Sequence, residues 1–173
     1  WIATGGHVES TVKIAQAGLP IVYAIIGGNP RYFKKLIQAY REIGRDIGHA
    51  EKNLKVGAHS WGWIAEDGEQ AVKDYFHPTK QVVDAISKDR PHWQELRYEQ
   101  YLEQVGPNGA MFVGNPDQVS EKLIRMIEDL NLDRFMLHLP LGSMPHDQVL
   151  KAIELFGTQV APKVRAYFAM KEA

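Results

Sequence analysis

Short apolar runs alternate with longer stretches of helical periodicity along the chain. The runs fall at residues 1–4, 21–26, 54–65 and 133–139. Behind each run, apolar residues recur every three to four positions, which is the spacing of one buried helix face. The pattern therefore predicts four strands, each followed by a helix, with a polar and aromatic helical insertion at residues 89–109 before the fourth strand.

Apolar strands separated by helices favour an α/β fold in which parallel βαβ units form a sheet and helices cover it. Four units form either a small open sheet or half of a (β/α)8 barrel, and the pattern leaves both open. The chain begins at Trp1, inside an apolar segment and without a polar leader. We therefore expect residues 1–173 to be a single partial domain cut from a longer protein.

Composition narrows the function classes. The 173 residues are 45% hydrophobic and 24% charged, which is typical of a globular protein. Lys and Arg number 20 against 21 Asp and Glu, so charge gives no reason to expect nucleic acid as a partner. The absence of Cys excludes disulfides and a thiol nucleophile. No apolar run approaches the roughly 18 residues of a membrane span, so no membrane partner is expected.

Known nucleotide and hydrolase motifs are missing as well. The sequence has no Gly-x-Ser-x-Gly elbow, no Walker loop and no Gly-x-Gly-x-x-Gly fingerprint. These absences disfavour a common esterase, a P-loop nucleotidase and a Rossmann dehydrogenase.

The turn after the first predicted strand is a candidate phosphate site. Gly5 and Gly6 precede a helix that has hydroxyls in its first turn, at Ser10 and Thr11. Glycines allow close backbone approach, and a helix N-terminus offers unpaired N–H groups to a phosphate. The same residues also fit a plain βα turn whose hydroxyls cap their own helix, and spacing alone favours that interpretation.

Two histidines fall near the carboxyl ends of predicted strands. His59 and His138 are placed where a proton donor or a hydrogen-bonding group would face the mouth of a barrel. A satisfied interior histidine is the structural alternative for each. No third ligand stands at a suitable spacing, so no metal site is predicted.

Two further turns have capping chemistry. Asn29 precedes Pro30 as an N-cap precedes a proline in the first helical position. Asn115 is followed three residues later by Gln118, the spacing of a capping box. Although the second turn also looks like a phosphate loop, capping explains its residues, and we interpret it as structural.

Taken together, several stretches resemble one known family in their order and spacing. They are residues 1–10, 17–22, 25–30, 56–60, 112–119, 133–137, 153–157 and 160–165. In these stretches the chain resembles the carboxyl-terminal half of the luciferase-like monooxygenases, which are flavin-dependent enzymes related to bacterial luciferase. The resemblance implies a TIM-barrel fold, with strands five to eight of the (β/α)8 barrel present here.

The resemblance also implies a cofactor and its site. The cofactor would be reduced FMN or, in some branches, a deazaflavin coenzyme at the carboxyl end of the barrel. Its phosphate would be held by the turn after the first strand, which reverses the interpretation from spacing alone. The implied cofactor residues are Thr4, Gly5, Gly6, His7, Ser10, Gly27 and Gly28. His59 and His138 would face the active-site mouth as the candidate catalytic residues.

The implied activity is that of a monooxygenase, which uses reduced flavin and O2 to oxygenate a small organic substrate. A separate flavin reductase is a possible partner, and a cytoplasmic location is expected. The nearest rival is a reductase that transfers hydride with FMN or a deazaflavin. Because half a barrel leaves strand edges unpaired, we expect this chain by itself to be inactive and to form a homo-oligomer.

A phosphate-binding aldolase or isomerase is a weaker alternative. Such an enzyme would use the Gly5-Gly6 turn for the phosphate of its substrate. Schiff-base chemistry needs a lysine on a strand, and Lys55 lies only at the start of one. This alternative is therefore placed below the flavin-dependent enzymes.

Overall fold

Strands and helices alternate along the chain, as the apolar pattern predicts. The computed structural model describes residues 1–90 and 93–172. Its strands are β1 (Ile2–Thr4), β2 (Ile21–Ala24), β3 (Val56–Ile64), β4 (Phe112–Gly114) and β5 (Arg134–His138). Its α-helices are α1 (Val8–Gln16), α2 (Lys34–Asp46), α3 (Gly68–Asp89), α4 (Tyr98–Val105), α5 (Pro116–Leu130), α6 (His146–Leu155) and α7 (Ala161–Glu172).

All the strand pairs are parallel. β1 pairs with β2 and β2 pairs with β3, while β5 joins the first part of β3 between Gly57 and Trp61. The main sheet therefore runs β1-β2-β3-β5, which is the order expected of four successive units of a parallel barrel. β4 pairs only with the last part of β3, from Gly62 to Ile64.

The helices cover one face of this sheet. On that face Tyr23 packs edge-to-face against Phe33, with ring centroids 5.6 Å apart, and its hydroxyl lies 3.2 Å from the Thr11 hydroxyl of α1. Tyr40 is also fully buried and donates a hydrogen bond to the Leu19 carbonyl at 2.7 Å. Burial raises the pKa of Tyr40 to about 12, because the phenolate would lose its hydration.

The opposite face of the sheet is open. Strand residues alternate between faces, so paired residues in parallel strands point the same way. In β5 the pattern of exposure alternates with the same period, and Met136 is 36% exposed. By the register, this face carries Trp1, Ala3, Val22, Ala24, Gly57, His59, Trp61, Arg134, Met136 and His138. Of these, Val22 and Trp61 are buried. At its amino end, Arg134 stacks over the Trp1 ring at 4.9 Å.

The structure confirms the predicted fold class, an α/β fold with a parallel sheet, and adds one strand to it. β4 was not predicted; its three residues form a strand by pairing with the last part of β3. The predicted insertion at residues 89–109 contains α4, and its residues 91 and 92 lie outside the described residues. Among the described helices, none combines the length and the apolar character needed to cross a membrane.

Candidate functional site

The turn between β1 and α1 has one glycine that the fold requires and one that it does not. Gly6 has a φ of +96°, and a Cβ there would lie 2.7 Å from a ring carbon of Phe33. Its N–H donates to the Thr4 hydroxyl at 3.3 Å, so this amide is already used within the turn. Gly5 is exposed, and a Cβ there would meet no atom within 4 Å. The open space above Gly5 is where a ligand could approach the backbone.

Helix α1 begins without a side-chain cap. His7 occupies the N-cap position in an extended conformation, and its side chain makes no capping hydrogen bond. The first internal amide bond runs from Thr11 to the His7 carbonyl at 3.0 Å. The amides of the preceding first-turn residues have no partner within the helix, and the helix dipole adds positive potential there. This end of α1 can therefore receive an anion.

The side chains of the first turn of α1 divide between solvent and core. Ser10 is half-buried, whereas Thr11 is fully buried and contacts Tyr23. Glu9, the acidic residue of this turn, forms an exposed ion pair with Lys13 at 2.7 Å. Of the two hydroxyls predicted for this turn, only that of Ser10 remains available to a ligand.

A second glycine turn follows β2. A Cβ at Gly27 or Gly28 would meet no atom within 4 Å, and Gly28 has a φ of +74°. The next residue, Asn29, accepts a hydrogen bond from the Arg31 amide at 3.0 Å and so starts the 3₁₀ turn Pro30–Phe33. This confirms the predicted cap at Asn29 and leaves the two glycines as open backbone.

His59 and His138 lie together on the open face. His59 is half-buried, His138 is exposed, and their ring centroids are 5.6 Å apart. Burial, and secondly the charge of His138, lowers the pKa of His59. His59 is therefore held as a neutral imidazole near neutral pH, a state that can both donate and accept hydrogen bonds.

The register brings these groups to one edge of the sheet. Thr4 pairs with Tyr23, and Ala24 pairs with His59. Beyond β2, the Ile25 amide donates to the His59 carbonyl at 2.8 Å. Parallel strands carry their following turns at the same edge, so the two glycine turns and the histidine pair share the carboxyl end of the sheet. Whether these residues contact a cofactor or a substrate stays a prediction.

One unusual charged group escaped the sequence analysis. Lys122 of α5 is only 8% exposed, and its ammonium donates to backbone carbonyls at the end of α4 and before β4. The signal was present, because Lys122 falls on the apolar face of α5, three residues after Val119 and one before Leu123. A lysine inside an apolar stripe marks a buried charge that needs partners.

No group of three or more residues suited to metal binding occurs among residues 1–90 and 93–172. The two histidines are also too few for a structural metal centre, which typically has four ligands.

Comparison with solved structures identifies the fold. The chain superposes on monooxygenase RslO1 from Streptomyces bottropensis with a TM-score of 0.75 at 18% identity, covering 92% of this chain and 46% of that one. For the coenzyme F420-dependent tetrahydromethanopterin reductase from Methanopyrus kandleri, the TM-score is 0.64 at 17% identity, with coverage of 92% and 49%.

A third match is the oxygenating component of 3,6-diketocamphane monooxygenase from Pseudomonas putida, solved in complex with FMN. Here the TM-score is 0.63 at 17% identity, and the coverage is 94% of this chain and 47% of that one. Neither a family model nor a curated protein matches the chain. The chain thus has the fold of, and spans about half the length of, these barrel proteins, in agreement with the predicted half barrel.

Proposed function

We propose that this chain is the phosphate-holding, carboxyl-terminal half of a flavin-dependent oxidoreductase of the luciferase-like monooxygenase family. The observation that carries the proposal is the uncapped N-terminus of α1 beneath the open backbone of Gly5. This feature lies at the same sheet edge as the histidine pair. The fold likeness to monooxygenases and to a coenzyme F420-dependent reductase supports it.

The residues of the β1–α1 turn fit a phosphate group. The open first-turn amides of α1 supply hydrogen-bond donors, and the half-buried Ser10 can add a hydroxyl. Gly5 leaves room for the phosphate oxygens. Gly6 holds the turn in shape rather than binding through its amide, which Thr4 already accepts. His7 stands at the N-cap without using its ring there, so the ring is available to the phosphate.

The remaining residues would bind and orient the reacting partners. Gly27 and Gly28 would allow a planar ring system to approach the backbone after β2. A bound reduced flavin would supply the electrons for oxygenation or for hydride transfer. The neutral imidazole of His59, beside His138, would hold a polar group of a small organic substrate by hydrogen bonds.

Two finer assignments belong to the same proposal. In the complete protein, we favour reduced FMN and O2 as the reactants. A separate flavin reductase would supply the reduced FMN. The alternative is hydride transfer with FMN or a deazaflavin, and the likeness to a coenzyme F420-dependent reductase keeps it in consideration. Oxygen uptake during turnover supports the first, whereas equal turnover without oxygen supports the second.

A binding titration tests the phosphate site. FMN and coenzyme F420 are titrated against the chain, followed by flavin fluorescence, with Gly5→Ala compared to the parent. A Cβ at Gly5 would meet no atom of the protein, so Gly5→Ala should leave the thermal stability unchanged. The added methyl group would occupy the space of the phosphate, so we expect binding to be at least roughly tenfold weaker. Gly6→Val is unsuitable, because it would strain the backbone and displace Phe33.

Gly157→Ala is the control for flavin affinity, since a Cβ there also meets open space, in the π-helical segment Phe156–Val160 between α6 and α7. Binding should be unchanged in this control. Equal affinity in all three proteins would reject the β1–α1 turn as the phosphate site. If neither cofactor binds a protein in which the barrel is complete, the flavin-dependent function is rejected.

A second candidate role is a non-catalytic half barrel that associates with itself. The observation favouring it is the open sheet face, where Trp1 is 49% and Met136 is 36% exposed, together with the single-sided pairing of β1 and β5. A two-fold axis along the barrel would bring β5 of each copy beside β1 of the other with all strands parallel. Light scattering should show a dimer, and a stable monomer at micromolar concentration would reject self-association.

A further inference from the structure

A small cavity lies on the helical side of the sheet, away from the open face. It has a volume of about 60 Å³, room for a few water molecules or one small ion. Its wall is formed by the turn at residues 29–31, the loop at residues 107–109 and one side of α5. None of the residues of the β1–α1 turn lines it.

The wall of the cavity contains a buried ammonium group without a carboxylate. Lys122 donates to the carbonyls of Gln104, Val105, Gly106 and Met111 at 3.4, 2.9, 2.6 and 2.5 Å. Within the part of the chain that the structure describes, no Asp or Glu pairs with it. Carbonyl dipoles solvate this ammonium but do not neutralise it, and an unneutralised buried charge is costly.

Two arginines add to the positive charge. Arg125 lines the same cavity, and the ion pairs among residues 1–90 and 93–172 do not include it. Burial, and secondly the charge of Arg125, lowers the pKa of Lys122 to about 7. Arg31 also lines the cavity, and its Nε contacts Asp129 at 3.0 Å. Asp129 is the only acidic residue among the described lining residues, so the cavity carries an excess of two positive charges when Lys122 is protonated.

We propose that this cavity binds a phosphate-type dianion, with Arg125 and Arg31 as the direct ligands and Lys122 as the buried countercharge. The cavity is concave, which concentrates the positive potential, and a dianion matches the charge excess. Arginine side chains bind phosphate oxygens through two parallel N–H donors. This site is distinct from the β1–α1 turn and does not depend on flavin binding.

The test follows thermal unfolding in inorganic phosphate against chloride at equal ionic strength. Phosphate should raise the unfolding temperature of the parent. In Arg125→Gln the apparent phosphate affinity should fall roughly tenfold, the loss of one charge-assisted contact. Arg165→Gln, on α7 and outside the cavity wall, makes the same charge change and should respond like the parent.

Further measurements distinguish the cavity from other anion sites and identify its ligand. Ser10→Ala removes the hydroxyl proposed to hold phosphate at the β1–α1 turn, and it should keep the part of the phosphate response that Arg125→Gln removes, because Ser10 does not line the cavity. Nitrogen NMR of the Lys122 side chain should show its pKa rising as phosphate is added. Glycerol phosphate is titrated in parallel: tighter binding than inorganic phosphate identifies the phosphoryl group of a larger ligand, and weaker binding identifies the free ion.

The proposal is overturned by any of three results. One is the absence of a phosphate-specific rise in unfolding temperature. The second is an equal loss of response in Arg125→Gln and Arg165→Gln, which indicates general charge screening. The third is a response lost in Ser10→Ala but kept in Arg125→Gln, which would place the anion at the start of α1.

Discussion

Two turns in this protein look alike in sequence and differ in what they do with their backbone amides. Both have glycine at or directly after the end of a strand and lead into a helix, one at Gly5-Gly6 before α1 and one at Gly114 before α5. In the second turn, Asn115 accepts from the Gln118 amide at 3.0 Å, and the Gln118 side chain accepts from the Asn115 amide at 2.9 Å. The amides of Asn115 and Gln118 at the start of α5 are thus hydrogen-bonded to side chains of the same turn.

The start of α1 has no such closure, because His7 does not cap it. A glycine-bearing turn before a helix can hold an anion only when no neighbouring side chain has taken the amides. Glycine content alone does not separate the two cases. Substitutions at the starts of α1 and α5 test this difference.

A side-chain cap at the start of α1 should strongly weaken phosphate binding there. His7→Asp places a carboxylate at the N-cap, where it accepts from first-turn amides and repels an anion. We expect FMN affinity to fall by roughly 100-fold and the free energy of unfolding to rise by about 1 kcal/mol. Flavin fluorescence titration and urea unfolding measure the two effects, which have opposite signs.

His7→Ala is the control for this change. It removes the imidazole without supplying a cap, so affinity should change much less than in His7→Asp if the amides are the main ligands. A gain in stability together with unchanged flavin affinity in His7→Asp would contradict an amide-based phosphate site at α1.

Removal of the cap of α5 should lower the stability of the protein without changing its flavin affinity. Asn115→Ala removes the cap and should lower the free energy of unfolding by about 1 kcal/mol, or the unfolding temperature by roughly 2–4 °C for a chain of this size. Flavin affinity should be unaffected. Calorimetry and the same titration measure both, and a large loss of flavin affinity would show that the two turns are not functionally different.

The histidine pair beside the α1 turn should produce a smaller, acid-dependent effect. The folded-state pKa of His59 is lowered, so below about pH 6.5 the unfolded chain binds more protons than the folded chain. Stability should therefore fall as pH drops through this value, by less than about 1.4 kcal/mol per pH unit. Urea midpoints at about pH 7.5 and about pH 5.5 measure it.

His59→Gln should flatten this dependence, because glutamine does not titrate in the range. His138→Gln should flatten it partly, since His138 contributes the smaller cause of the shift. An identical slope in His59→Gln and the parent would assign the acid sensitivity to other groups.

The elements that the sequence predicted are those with repeated local signals. Long apolar runs predicted β3, and the Asn115–Gln118 spacing predicted a capping box that the structure confirms. β4 was missed because it exists through pairing with Gly62–Ile64, a contact about 50 residues away in the chain. The pairing of His59 with His138 depends likewise on β5 lying beside β3.

The cavity beside α5 shows the same limit for the candidate sites. Arg31 and Arg125 are ordinary surface positions in the sequence, and only packing of the 3₁₀ turn against α5 places both in one cavity. Lys122 gave a local signal, but its carbonyl partners lie 11 to 18 residues away and are fixed by the turn after α4.

The sequence was sufficient to predict the alternation of strands and helices, the caps at Asn29 and Asn115, and the glycines that keep the exposed turns open. These features depend on neighbours within a few residues, where composition and spacing set the free energy. Tertiary structure alone decided that the helices cover one face of the sheet and leave the other open. It also enclosed Lys122 among carbonyls and placed His59 beside His138, because those outcomes depend on contacts between distant segments.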